Sequence, residues 1–148
     1  MKKLLIAAFL VASFYLFVSC SAFDVGFEED GYSRSLQNGD AYKAYAVGMD
    51  SLTKKPIVSI NFPDESCSRL SYASEPRVYR VNGKDMRFDS LCADYHVRTI
   101  VSAFSANPRL SSYFLNEERV HIVIDGKGVT FSTKNFEEAI ENSENRYK

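Results

Sequence analysis

The small number of cysteines in this chain constrains the chemistry of Cys67 and Cys92 more than that of any other residues. Apart from Cys20 near the N-terminus they are the only thiols, and an even pair in an oxidising compartment predicts a disulfide. Closing a loop of about 25 residues stabilises a fold by roughly 3–3.5 kcal/mol in the chain-entropy model. The alternative is a metal site, but His96 and His121 lack the paired ligand spacing of such sites. We predict a disulfide, no metal ligands, no catalytic thiol and no cofactor.

His96 and His121 are the candidate general bases of the chain. His96 follows Asp94 by two residues, and His121 stands in an alternating apolar segment just before Asp125. A carboxylate close in sequence does not establish a catalytic dyad. No Gly-x-Ser-x-Gly nucleophile motif accompanies either histidine. We therefore assign no catalytic residue, and a small hydrolase using one of these histidines is the enzymatic alternative.

Basic and aromatic side chains cluster around the dipeptide Asn82-Gly83. Asn-Gly predicts a two-residue type I′ turn, which places Arg80 opposite Asp85. Tyrosine and arginine dominate binding hot spots, so we predict an interaction surface on this hairpin. The alternative is that the arginines serve only for solubility. The predicted surface comprises Arg77, Tyr79, Arg80 and Arg87.

The first 22 residues have the layout of an export signal. Lys2 and Lys3 precede an uncharged, mostly apolar run over 4–18, and small residues follow at 19–22. Fifteen residues form a helix of about 22 Å, which is shorter than the ~30 Å hydrocarbon core of a bilayer. A retained transmembrane helix is therefore the weaker interpretation, and we expect an exported protein.

The segment Phe17-Val18-Ser19-Cys20 resembles the lipobox of bacterial lipoproteins. The resemblance covers residues 1–20 and implies that Cys20 is lipidated and becomes the new N-terminus. It also implies a membrane attachment through several acyl chains, which is stable. In a Gram-negative host, Ser21 resembles the type that is sorted to the outer membrane. The alternative is cleavage after Ala22, which gives a soluble periplasmic or secreted protein.

The length of the chain after the predicted signal indicates one domain, and its charge argues against a nucleic-acid partner. Signal removal leaves about 126–129 residues, enough for a single core. Residues 21–39 are rich in acidic, Gly and Ser residues and predict a flexible tether, followed by one globular domain over 40–148. The formal net charge is −1 and becomes more negative without Lys2 and Lys3, whereas phosphate binding needs a cationic surface.

Hydrophobic periodicity predicts an α+β fold. Alternating segments indicate strands near 57–62, 77–81, 84–88, 119–125 and 128–132. Helical spacing indicates helices near 95–105 and 133–145, and Asn107-Pro108 is typical of a helix start. We expect a small single domain with an antiparallel sheet, a C-terminal helix and one disulfide. A mainly β sandwich is the alternative, favoured if 95–104 is a strand.

These features favour a non-enzymatic envelope protein. We expect it to be periplasmic, anchored to the outer membrane, and to bind a protein or cell-wall ligand as an inhibitor, immunity factor or assembly accessory. The alternatives are the small periplasmic hydrolase and a purely structural envelope lipoprotein.

Overall fold

The protein forms a closed barrel of eight antiparallel strands. The computed structural model describes residues 26–37, 39–69, 71–103 and 105–146. The predicted signal, the lipobox and Cys20 lie outside the described residues. Around the barrel the strands follow the order β1-β2-β3-β6-β5-β4-β7-β8, and β8 returns to β1.

The strands are β1 (Tyr32–Ser35), β2 (Gly39–Met49), β3 (Pro56–Pro63), β4 (Ser71–Val81), β5 (Lys84–Asp94), β6 (Val97–Ser102), β7 (Arg119–Ile124) and β8 (Lys127–Ser132). Alternate residues point inward, as on β3, where Val58, Ile60 and Phe62 are buried. The closed sheet has a filled interior, as expected for an eight-stranded barrel.

The prediction of an α+β fold is wrong, and so is the alternative of a two-sheet sandwich. The helix predicted over 95–105 is β6, which pairs with β3 on one side and β5 on the other. Its inward positions hold the polar Arg98 and Ser102 together with Ile100, while Val97 and Val101 face outward. Apolar residues on both faces gave this strand the appearance of helical spacing.

Residues 26–37 belong to the folded domain, so the tether predicted over 21–39 does not extend over them. Phe27 is buried in the core, where its ring lies 5.1 Å from that of Phe136 and 6.1 Å from that of Phe114. Strand β1 follows and pairs with both β2 and β8.

Both predicted hairpins are present. β4 and β5 join at Asn82-Gly83, whose φ angles of 47° and 80° suit the type I′ turn, and Arg80 lies opposite Asp85 as predicted. β7 and β8 join at Asp125-Gly126. β4 and β5 are longer than the alternating pattern indicated.

The described residues contain two helices, α1 (Asn107–Asn116) and α2 (Phe136–Arg146). α1 links β6 to β7 and packs against β3 and β7, which are not neighbours in the barrel. It therefore lies across one end of the barrel, which we call the capped end, and buries Leu110 and Phe114 there. α2 packs beside β2, where Ser143 donates a hydrogen bond to the carbonyl of Val47. Neither helix has the length and apolarity needed to cross a bilayer.

Candidate functional site

The predicted disulfide is present at the end of the barrel opposite α1. Cys67 and Cys92 are bonded, with their Cα atoms 5.4 Å apart. The bond attaches the β3–β4 loop to β5, and the amide of His96 donates to the carbonyl of Cys67 over 2.7 Å. The disulfide and this hydrogen bond therefore hold the β3–β4 loop in place at this end of the barrel.

A buried ion pair holds the same loop from inside the barrel. Arg98 is 5% exposed, and its Nε donates to Oδ2 of Asp64 over 2.5 Å. Its two terminal nitrogens donate to the hydroxyls of Ser90 and Ser66. Burial alone would raise the pKa of Asp64, but the hydrogen bonds from Ser66 and Arg98 outweigh burial and hold that pKa at about 2. Each of the three guanidinium nitrogens of Arg98 donates a hydrogen bond, which is typical of a structural ion pair.

The two histidines lie on different elements, and the amide of Asp64 donates a hydrogen bond to the carbonyl of His96 over 2.9 Å. His96 sits on the β5–β6 turn, and its Nδ1 is 3.9 Å from the carboxylate of Glu65, whose side chain is 98% exposed. His121 faces outward on β7, and its Nδ1 lies 2.9 Å from the hydroxyl of Thr130. Within the described ranges, no three His, Cys, Asp or Glu side chains gather as metal ligands would.

The predicted interaction surface is divided between the two faces of β4 and β5. Arg80 and Arg87 are exposed on the outer face, and Arg80 Nε lies 3.4 Å from Asp85. Tyr79 is 6% exposed and points into the barrel, between the rings of Phe62 and Phe88.

Arg77 shares the inner face with Tyr79, two residues nearer the disulfide end, and its side chain is 32% exposed. Two of the four predicted residues therefore lie on the outside of the hairpin and two on its inside.

β4 extends well beyond its neighbour β7. On the other side, β4 pairs with β5 from Glu75 to Val81 without interruption. β7 pairs only with Arg80 and Val81, because it ends at Ile124 and turns into β8. The barrel wall is consequently split along β4 toward the disulfide end.

The backbone groups along this split can be assigned from alternation. In an antiparallel strand, successive residues direct their N–H and C=O groups to opposite neighbours. The amide of Asn82 donates to His121 on β7, so the backbone groups of Arg80, Val78 and Pro76 face the same side. No described strand faces Val78 or Pro76 there. We call this stretch, Pro76–Val78 on the side away from β5, the β4 edge.

The two side chains of the β4 edge that face its outer side differ: Val78 is available for contact, whereas Pro76 limits backbone pairing. Val78 is 64% exposed on the outer face, directly opposite Arg87 of β5 and two residues from Arg80. Pro76 lacks an N–H and stands where that group would face solvent, the position in which sheets tolerate proline. The proline shortens the edge that a partner strand could pair with.

Sequence reasoning located the hairpin but missed the β4 edge. Its only signal in the sequence is Pro76, because a proline within a strand indicates an edge. Within the described ranges, no strand pairs with Val78 on this side because of where β7 ends in space, and no local pattern contains that information.

A second feature is a groove of about 620 Å³ between α2 and the β2–β3 loop. Its floor is apolar, with Met49, Leu115 and Ile140, and its walls carry Lys54 and Lys55 opposite glutamates of α2. None of the predicted site residues lines it.

Comparisons of the chain with protein-family models, with curated proteins and with solved structures give no match.

Proposed function

We propose that this is an exported envelope protein that binds an extended segment of a protein partner by strand addition at the β4 edge. In this mode a partner adds a strand to an open sheet edge, its backbone hydrogen bonds supply affinity, and neighbouring side chains supply specificity. The observation that carries the proposal is the pairing of β4 with β7 at Arg80 and Val81 alone, which leaves Val78 beside an exposed edge.

The proposal includes lipidation of Cys20, with the protein anchored at the outer membrane. It rests on the signal-like N-terminus and on the resemblance of residues 17–20 to a lipobox. Intact mass spectrometry of the protein from the membrane fraction tests it. A mass that includes acyl chains on Cys20 supports the anchor, whereas a chain without acyl groups beginning at Phe23 contradicts it.

Strand addition at the β4 edge can be tested by removing the backbone N–H of Val78. Val78→Pro deletes the donor that faces the split while leaving the β4–β5 hydrogen bonds in place, because those come from Arg77 and Tyr79. The chain already carries a proline on the same side of β4 two residues earlier, so the strand accommodates the substitution. Val78→Ala is the matched control, because it removes the exposed side chain and keeps the N–H.

We expect a cross-linked partner captured from envelope extracts by the wild type to be retained by Val78→Ala, at reduced yield, and lost with Val78→Pro. Far-UV circular dichroism establishes that each variant is folded. A partner captured equally by folded Val78→Pro would show that strand addition at this edge is not the binding mode. The double variant Arg80→Glu, Arg87→Glu should weaken capture without altering the fold, since both side chains flank the edge on its outer face.

A further inference from the structure

We propose that the strand added at the β4 edge carries an acidic residue, whose carboxylate enters the barrel wall and is bound by Arg77 and the hydroxyl of Tyr79. This inference rests on the proposed strand addition and names the chemistry of the partner segment: an apolar residue followed directly by Asp or Glu.

The first observation is a buried hydroxyl whose proton has no acceptor. Tyr79 is 6% exposed, and within the described part of the chain its hydroxyl makes no hydrogen bond of normal geometry, although it lies beside the Arg77 guanidinium. Burying a hydroxyl proton without an acceptor is unfavourable. A ligand oxygen at this position supplies that acceptor, so the tyrosine favours a ligand that carries one.

The second observation is the charge beside that hydroxyl. Burial raises the pKa of Tyr79, and the neighbouring Arg77 guanidinium opposes that rise through hydrogen bonding to the phenol and through its charge. Arg98 acts in the same direction as Arg77, but its charge is balanced by Asp64. Asp125 is the carboxylate that acts on the phenol from the β7–β8 turn.

Arg77 is available to a ligand. Among the described residues it forms an ion pair with Glu75 that is 3.4 Å long and joins side chains that are 32% and 65% exposed. An exposed pair of this kind contributes little to stability and is readily exchanged for another carboxylate. Arginine binds carboxylates through two parallel N–H groups, which makes an acidic side chain the matching partner.

Side chains along a strand point alternately inward and outward, and this alternation determines the position of the acidic residue in the partner segment. A partner strand antiparallel to β4 would form a hydrogen-bonded pair with Val78, so the residue opposite Val78 faces outward and packs on its exposed side chain. The next residue of the partner lies opposite Arg77 and faces inward, toward Arg77 and Tyr79. The order along the partner is therefore apolar and then acidic.

A second copy of this chain fits the edge poorly. In a symmetric antiparallel pairing that sets Val78 opposite Pro76 of the other copy, Arg77 would face Arg77. Two guanidinium groups would then meet where the site favours a carboxylate, and like charges directly opposite are destabilising. Charge complementarity thus favours an acidic segment of another protein over a second copy paired in that register.

The test is an NMR titration of the ¹⁵N-labelled protein with acetyl-Thr-Val-Glu-Val-Thr-amide and with its Gln and Lys analogues. We expect the Glu peptide to shift the Val78 amide resonance and to bind at least tenfold more tightly than the Lys peptide. Arg77→Gln should weaken Glu-peptide binding about tenfold, and Tyr79→Phe about fivefold, the factor for a hydrogen bond of about 1 kcal/mol. Arg109→Gln, which removes one exposed charge at the capped end, is the control and should change binding less than twofold.

The outcomes separate the two proposals. If all three peptides shift Val78 with equal affinity, or if Arg77→Gln and Tyr79→Phe bind the Glu peptide as the wild type does, the acidic specificity is wrong and strand addition stands. If no peptide shifts Val78, strand addition at this edge is itself refuted. Dimerisation detected by analytical ultracentrifugation through the β4 edge, abolished by Val78→Pro, would identify a second copy as the occupant and overturn the inference.

Discussion

The buried pair between Asp64 and Arg98 makes the stability of the barrel depend on pH in a calculable way. The pKa of Asp64 is lowered from its ordinary value of 3.8 to about 2 in the folded protein. The ionised carboxylate is therefore favoured by folding, and its contribution is present above pH 3.8 and lost as the pH falls through 2. A shift of this size corresponds to about 2.4 kcal/mol at neutral pH, about 1.3 kcal/mol at pH 3 and about 0.4 kcal/mol at pH 2.

The perturbation is Asp64→Asn, which keeps the shape of the side chain and removes the charge. Urea unfolding followed by far-UV circular dichroism gives the free energy of unfolding of both proteins at pH 7, 3 and 2. We expect the wild type to exceed the variant by about 2–3 kcal/mol at pH 7, and we expect that difference to shrink by about 2 kcal/mol on acidification to pH 2. The residual difference reflects the uncharged hydrogen bonds that Asn cannot reproduce for Arg98.

Glu65→Gln is the control, because Glu65 is 98% exposed on the same loop. Its difference from the wild type should stay close to zero and constant between pH 7 and 3. A difference between wild type and Asp64→Asn that does not change with pH would refute the reasoning, since it would show that the carboxylate gains nothing from ionisation in the folded state.

Three further predictions concern local features, each measured by urea unfolding at pH 7. Replacing Cys67 and Cys92 by Ala should lower the free energy of unfolding by about 3.5 kcal/mol, and reduction of the wild type should match it. Gly26→Ala should destabilise by more than about 1 kcal/mol, because φ is +70° and a Cβ would lie 2.4 Å from the carbonyl oxygen of Lys134. Asn82→Ala should lower the free energy of unfolding by about 1 kcal/mol, because the amide of His121 loses its hydrogen-bond acceptor. For each of the three variants, an unchanged free energy of unfolding would contradict the role given to the corresponding contact.

The elements that sequence predicted correctly are those fixed by local chemistry. Asn82-Gly83 needs positive φ at both positions, which few residue pairs adopt, so the turn and the register of β4 against β5 followed directly. The start of α1 at Asn107 followed from Pro108, whose fixed φ and missing N–H suit the first turn of a helix. The disulfide followed from the number of cysteines.

The elements that sequence missed depend on the closed sheet. β2 places the small residues Ala44 and Ala46 inside the barrel and leaves Tyr45 half-buried outside, so hydrophobicity does not alternate as burial does. β6 places Arg98 inside because Asp64 is there to pair with it, and Asp64 is distant in sequence. The β4 edge has the same origin, since it exists only because β7 turns away after Ile124.

The pairing of β1 with β8 closes the barrel, so during biosynthesis the barrel cannot close until β8 has been made. The hydrogen bond from Ser33 to Ser132 spans 99 residues of sequence, and the register pair Ser35–Phe131 lies beside it. The ribosome synthesises β1 before the other strands and β8 after them. The edge of β1 that pairs with β8 therefore stays unpaired while the six strands between them are made. Contacts this distant in sequence slow folding, because the loop-closure entropy is lost before they form. A chain that ends before β8 would expose the edges of both β1 and β7, and such fragments should aggregate rather than persist as smaller barrels.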